Sequence, residues 1–211
     1  MVANRYALTE RQKVMDTYLK GCVNLYGFVT IRQFLKVFNR YNQPKLLKEE
    51  FMKCADKLVR HSYMHYQIYS NAIVNAQVAD EKISEIFSYQ SGKKYYTPRE
   101  AEILSYAANA HYYEQTPQTR ELARFLTMDM QVNPFVTNAF MEKLLWTIRI
   151  EEPPRVQYSL IDEFHVNPKN MAQADALIQR MTEVHNNTRK WANCGYTPFD
   201  LFIAARKDGG K

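Results

Sequence analysis

Glycine is scarce in this chain, and long apolar runs are missing. Only 6 glycines occur in 211 residues, which argues against a loop-rich or barrel-like fold. They are too dispersed to build a phosphate-cradling loop. No stretch of about 18 apolar residues appears, so no membrane-spanning helix is expected. The segment Met1 to Arg11 lacks the apolar run of a signal peptide. Cysteine is limited to Cys22, Cys54 and Cys194, an odd and scattered set that forms no disulfide framework. The expectation is a cytoplasmic protein with reduced thiols, Cys22 and Cys54 packing as small apolar residues.

Reactive constellations are missing as well. There is no Gly-x-Ser-x-Gly elbow and no cysteine with a local nucleophile signature. The carboxylate pairs Glu49-Glu50, Glu151-Glu152 and Asp162-Glu163 are adjacent in sequence, and adjacent residues do not face each other on a helix. His61 and His65 stand four apart, a spacing that puts two imidazoles on one helical face. No acidic third ligand follows them, so surface or core histidines are expected rather than a metal site. Neither a catalytic residue, a metal nor a cofactor is expected, and the chain reads as non-enzymatic.

What is present is charge of one sign in one place. Residues 1–80 hold 12 Lys and Arg against 6 Asp and Glu, whereas residues 81–211 hold 16 of each. A basic module beside a neutral one points to an acidic partner for the former. Aromatic residues are also abundant, with 15 Tyr and 11 Phe, and Tyr favours protein interfaces.

Helix starts are legible through capping boxes, in which a Thr hydroxyl and an N3 side chain exchange bonds with each other's amides. The pattern occurs at Thr9–Gln12, Thr30–Gln33, Thr97–Glu100 and Thr197–Asp200, with Pro98 and Pro198 suited to the N1 position. A first helix is predicted over about 10–20, with a turn at Leu25-Tyr26-Gly27 and a short extended Phe28-Val29. A second helix follows Thr30, its Ile31, Phe34, Leu35, Phe38 and Tyr41 on one face. A third covers 45–61. Tyr66 and Ile68, then Ile73 and Val74, read as a hairpin joined near Ser70-Asn71. Ser91-Gly92-Lys93-Lys94 breaks a helix begun near Asp80. Beyond it, helices follow Thr97, Thr116-Pro117 and Asn133-Pro134, residues 151–157 read as a linker, and 172–186 as a helix. The expected class is therefore mainly α: a winged-helix-like module of three helices plus a hairpin over 1–80, then a helical domain over 81–211.

Two groups of residues are candidates for function. In a helix-turn-helix arrangement the third helix enters the major groove, and its outward cations Lys45, Lys48, Lys53, Lys57 and Arg60 would contact nucleic acid. Glu49, Glu50 and Asp56 dilute that face, and the hairpin tip is uncharged. The second group is Asn187, Arg189, Trp191, Asn193 and Gly195, which read as a helix end, a polar turn and a capped start. There Asn186 and Asn187 suit left-handed or Asx geometry, Gly195 supplies a free φ, and Arg189 is expected to stack on Trp191 or bond the preceding helix end.

The segment Asn186-Asn187-Thr188-Arg189, with Trp191, Asn193, Gly195, Thr197-Pro198 and Leu201, resembles a stretch in uncharacterised proteins of Gram-positive bacteria. Members of that group often carry a C-terminal SEC-C zinc motif. Tyr95-Tyr96-Thr97-Pro98 with Glu100, Leu104 and Tyr106 is similar to their central segment, and Leu25-Tyr26-Gly27 with the helix after it to their N-terminal part. The resemblance implies no activity. A SEC-C tail needs closely spaced cysteines and a final Cys or His, and Ala204-Ala205-Arg206-Lys207-Asp208-Gly209-Gly210-Lys211 supplies neither, so zinc is not expected. Two functions follow. One is a regulatory or adaptor protein whose basic module contacts nucleic acid or an acidic protein surface, the neutral part mediating protein contacts or self-association as a homo-oligomer. The other is a protein-interaction module of phage or mobile-element origin that binds no nucleic acid.

Overall fold

The computed structural model describes residues 7–109, 113–151 and 153–208. The chain separates into two compact units, Met1–Tyr112 and Tyr113–Lys211. It is mainly helical with one small antiparallel sheet, the class expected from the sequence.

The first unit runs α1 (Glu10–Tyr26), β1 (Phe28–Thr30), α2 (Ile31–Tyr41), α3 (Lys48–Ser62), β2 (Tyr66–Ile68), β3 (Ala72–Asn75), α4 (Asp80–Gln90) and α5 (Glu100–Ala108). Its strands are ordered β1-β3-β2, with Val29 opposite Ile73 and Ile68 opposite Ile73 on the other side. The predicted hairpin is therefore β2 and β3, with Tyr69 to Asn71 between them. The core gathers Leu19, Tyr26, Phe34, Phe38, Phe51 and Tyr66. Ile103 and Tyr106 of α5 belong to that same core, so the first unit extends well past the boundary placed at residue 80. Phe87 of α4 packs on Phe28 at 4.9 Å, which ties α4 to the sheet.

Each start depends on local chemistry, and each departure from expectation has a long-range cause. At α1 the full box forms: Gln12 N–H donates to Thr9 Oγ1 (3.3 Å) and Thr9 N–H donates to Gln12 Oε1 (3.0 Å). The helix does not stop at Lys20. Gly21 lies in its middle, where an added Cβ would come within 2.5 Å of the Ile103 carbonyl oxygen. That glycine permits the close approach of α5 rather than ending α1. The end comes at Gly27, whose φ of 70° places it where glycine is favoured. The third helix begins at Lys48, not Lys45, because Asn39 clamps Leu46 from both sides of its backbone, at 2.7 and 3.0 Å. Thr97 does not cap α5. Tyr26 and Tyr41 donate their hydroxyls to the carbonyls of Tyr96 (2.8 Å) and Pro98 (2.7 Å). Those bonds anchor the 96–98 backbone ahead of the helix, and Arg99 becomes the N-cap with its N–H on Glu102 Oε2 (2.6 Å).

The second unit comprises α6 (Pro117–Arg124), a π-helical turn (Phe125–Asp129), α7 (Pro134–Arg149), α8 (Pro154–Glu163), α9 (Met171–Asn186) and α10 (Pro198–Asp208). Leu122, Leu126, Phe140, Leu144, Leu160 and Leu177 form its core. The linker expected over 151–157 is shorter than that, since α8 begins at Pro154. A proline at the first helical position loses no hydrogen bond, and Leu160 of this helix is buried.

Candidate nucleic-acid interface

The structure divides the five predicted cations between two places. Lys53 and Arg60 lie exposed on α3, Lys57 is half-buried there, and exposed Glu49 and Asp56 share the same helix. The outward side of α3 is therefore close to neutral. Lys45 lies outside the helix, ahead of Leu47. Lys48 opens α3 and reaches the hairpin tip, its Nζ donating to Asn71 Oδ1 (3.0 Å).

The stronger cationic feature is on α2 and was missed. Arg32, Lys36 and Arg40 are exposed and follow one another at four-residue steps, so they share one helical face. The helix Ile31–Tyr41 contains no Asp or Glu. Ile31, Phe34, Val37 and Phe38 face the core, which fixes the cations outward. Their spacing was the available signal; the apolar period of the same helix was read instead of its charged complement.

Two hollows run along this face. One, of about 430 Å³, is bordered by Lys36, Arg40, Lys45 and Pro98. The other, of about 550 Å³, is bordered by Thr30, Lys48 and Asn71. Arg32 and Leu35 line both, so the hollows adjoin, and no carboxylate lines either. Arg32, Lys36, Arg40, Lys45 and Lys48 thus edge one groove. Lys45 and Lys48 belong to it as predicted residues; Lys53, Lys57 and Arg60 do not line it.

Several acids of this unit are bonded to other side chains. Glu50 is held by Arg11, Nε to Oε1 at 2.8 Å. Tyr18 donates to Glu100 (2.6 Å) and Tyr96 to Glu102 (2.9 Å). Asp16 is buried and binds Lys20 (2.8 Å) and Tyr66 (2.7 Å). Burial pushes its carboxyl pKa up, but the hydrogen bonds from Lys20, Ser62 and Tyr66 outweigh that and hold it below the ordinary value.

The C-terminal candidates form a structural corner. Trp191 is fully buried and meets Trp146 edge-on at 5.5 Å. Arg189 Nε donates to Glu114 (2.7 Å) and its Nη1 to the Gly195 carbonyl (3.1 Å). Asn187 ends α9 with its side-chain amide on the Glu183 carbonyl (2.9 Å), and its φ of −109° is not left-handed. Cys194 and Gly195 take the positive φ, 53° and 84°. Asn193 N–H donates to the Lys190 carbonyl (3.3 Å). The Thr197–Asp200 box closes reciprocally at 2.9 and 3.1 Å. Lys190 is buried against Glu151 (2.8 Å). Packing and capping account for Trp191, Asn187, Lys190 and Thr197.

Cys22, Cys54 and Cys194 are all buried. Burial pushes the Cys22 and Cys54 thiols up from the ordinary value. Among the described residues, no group of three or more His, Cys, Asp or Glu is gathered as a metal site, and no helix is long and apolar enough to cross a membrane. No family model, curated protein or solved structure matches the chain.

Proposed function

We propose that the protein is a non-enzymatic regulatory or adaptor protein whose first unit contacts nucleic acid as a winged-helix-like module. One observation carries this reading: a groove edged by Arg32, Lys36, Arg40, Lys45 and Lys48 with no carboxylate in its lining. Cations that reach phosphates release counterions and add affinity independent of sequence. The order of helices and strands in the first unit supports the module assignment, and the phosphate-facing surface is then α2 with the start of α3. The test is a titration of the full chain with labelled nucleic acid across salt. Five phosphate contacts give a log–log salt slope of about −3.5 to −4.5, and the double change R32E/K36E should reduce that slope by about 2. Absence of binding at low salt would sink the reading.

A protein-interaction role has separate support in the second unit. Phe135, Met171 and Met128 are 82%, 75% and 70% exposed, and large exposed apolar side chains mark contact surfaces when they cluster. The 129–131 loop is linked to the start of α9 by Lys169 on Gln131 (3.1 Å) and Gln173 on the Asp129 carbonyl (3.2 Å). A partner bound there should be retained by R32E/K36E and lost by F135A.

A further inference from the structure

The cationic groove has an aromatic end. Thr30, at one edge of the groove, also lines a third hollow of about 190 Å³ bordered by Phe28, Phe87, Gly92 and Tyr95. Phe87 is 50% exposed. At Gly92 nothing lies within 4 Å of where a Cβ would stand, so the rim is open. Tyr69, in the hairpin loop two residues from Asn71, is 55% exposed. Cations therefore run along α2 toward Phe87, and Tyr69 is accessible in the hairpin loop that also holds Asn71.

That arrangement suits single strands better than a duplex. An α3 placed in a major groove would present Glu49 and Asp56 beside Lys53 and Arg60, and a hairpin tip without a cation adds nothing at the backbone. In a duplex the bases are stacked on each other and have no face to offer Phe87 or Tyr69. In a single strand they do, and a basic groove combined with exposed aromatic rings is the general solution for binding one.

We infer that the first unit binds single-stranded nucleic acid, with the backbone along Arg40, Lys36 and Arg32 and bases stacked on Phe87 and Tyr69. This rests on the nucleic-acid reading above. The experiment measures the full chain against labelled oligothymidylate, a duplex of equal length and inorganic polyphosphate at one salt concentration. Oligothymidylate should bind roughly tenfold more tightly than either. F87A should weaken oligothymidylate by about tenfold, the effect of one lost stack, and leave polyphosphate unchanged, whereas F87W keeps a ring and retains binding. R32E/K36E should weaken all three ligands. Duplex or polyphosphate binding as tight as oligothymidylate, or F87A and F87W behaving alike, overturns the single-strand inference while the charge reading stands. Failure of every ligand at low salt removes both.

Discussion

The two units differ in net charge. Residues 1–112 hold 16 Lys and Arg against 10 Asp and Glu, and residues 113–211 hold 12 of each. In the first unit four of the acids are engaged: Asp16 by Lys20 and Tyr66, Glu50 by Arg11, Glu100 by Tyr18, Glu102 by Tyr96. In the second, three of the cations are drawn inward: Arg149 and Lys190 are 4% and 7% exposed, and Arg189 is held by Glu114. Backbone strain divides them too. Among the described residues, the first unit puts positive φ only at Gly27 and Gly92, while the second places Gln131, Glu151, His165 and Cys194 there.

The largest test of this contrast is W191A. Removing a fully buried ring that meets Trp146 should cost about 3–5 kcal/mol and lower hydrogen-exchange protection across the α7, α9 and α10 amides. Protection close to that of the parent would show that the corner does not hold the second unit together. The next is Tyr66→Phe. It withdraws a hydrogen bond from an ionised buried carboxylate, costing about 1.5–3 kcal/mol near neutral pH. Because the folded Asp16 pKa is lowered, its contribution is present above the unfolded pKa and is lost as pH falls through the folded value. Chemical denaturation between neutral and acid pH should therefore show a shallower acid loss in Y66F than in the parent. Equal acid slopes would break the claim that ionised Asp16 is structurally engaged. Smallest is a pair with opposite signs. Gly27→Ala should destabilise by about 1–2 kcal/mol, because a Cβ opposes positive φ. His165→Gly should stabilise by up to about 1 kcal/mol, strain relief exceeding the entropy that glycine adds to the unfolded chain. Thermal melts that move in the same direction would remove the strain half of the comparison.

Much of the fold was readable where neighbours in sequence decide it. Thr9, Thr116, Asn133 and Thr197 cap their helices, and α2 shows its apolar period openly. The readings that moved did so where a distant group intervened. Gly21 resembles a helix end until Ile103 is seen against it. Thr97-Pro98 resembles a helix start until Tyr26 and Tyr41 bond the carbonyls on either side of Thr97. Pro153-Pro154 reads as a linker until Leu160 is found in a core. For the groove, Lys45 and Lys48 were among the cations read from the sequence, but the reading of α3 as the groove-entering helix passed over the acid-free stripe on α2.

By itself the sequence determined the helical class, the hairpin, the capped starts at Thr9, Thr30 and Thr197 and the excess of positive charge in the first part of the chain. Those features depend on bonds and periodicities a few residues long. Tertiary structure decided which charges remain available, because the ion pairs that settle it join distant residues: Arg11 with Glu50 across 39 positions, Arg189 with Glu114 across 75. A salt bridge acts over a few ångströms, and separation along the chain does not reveal which charges folding will bring that close.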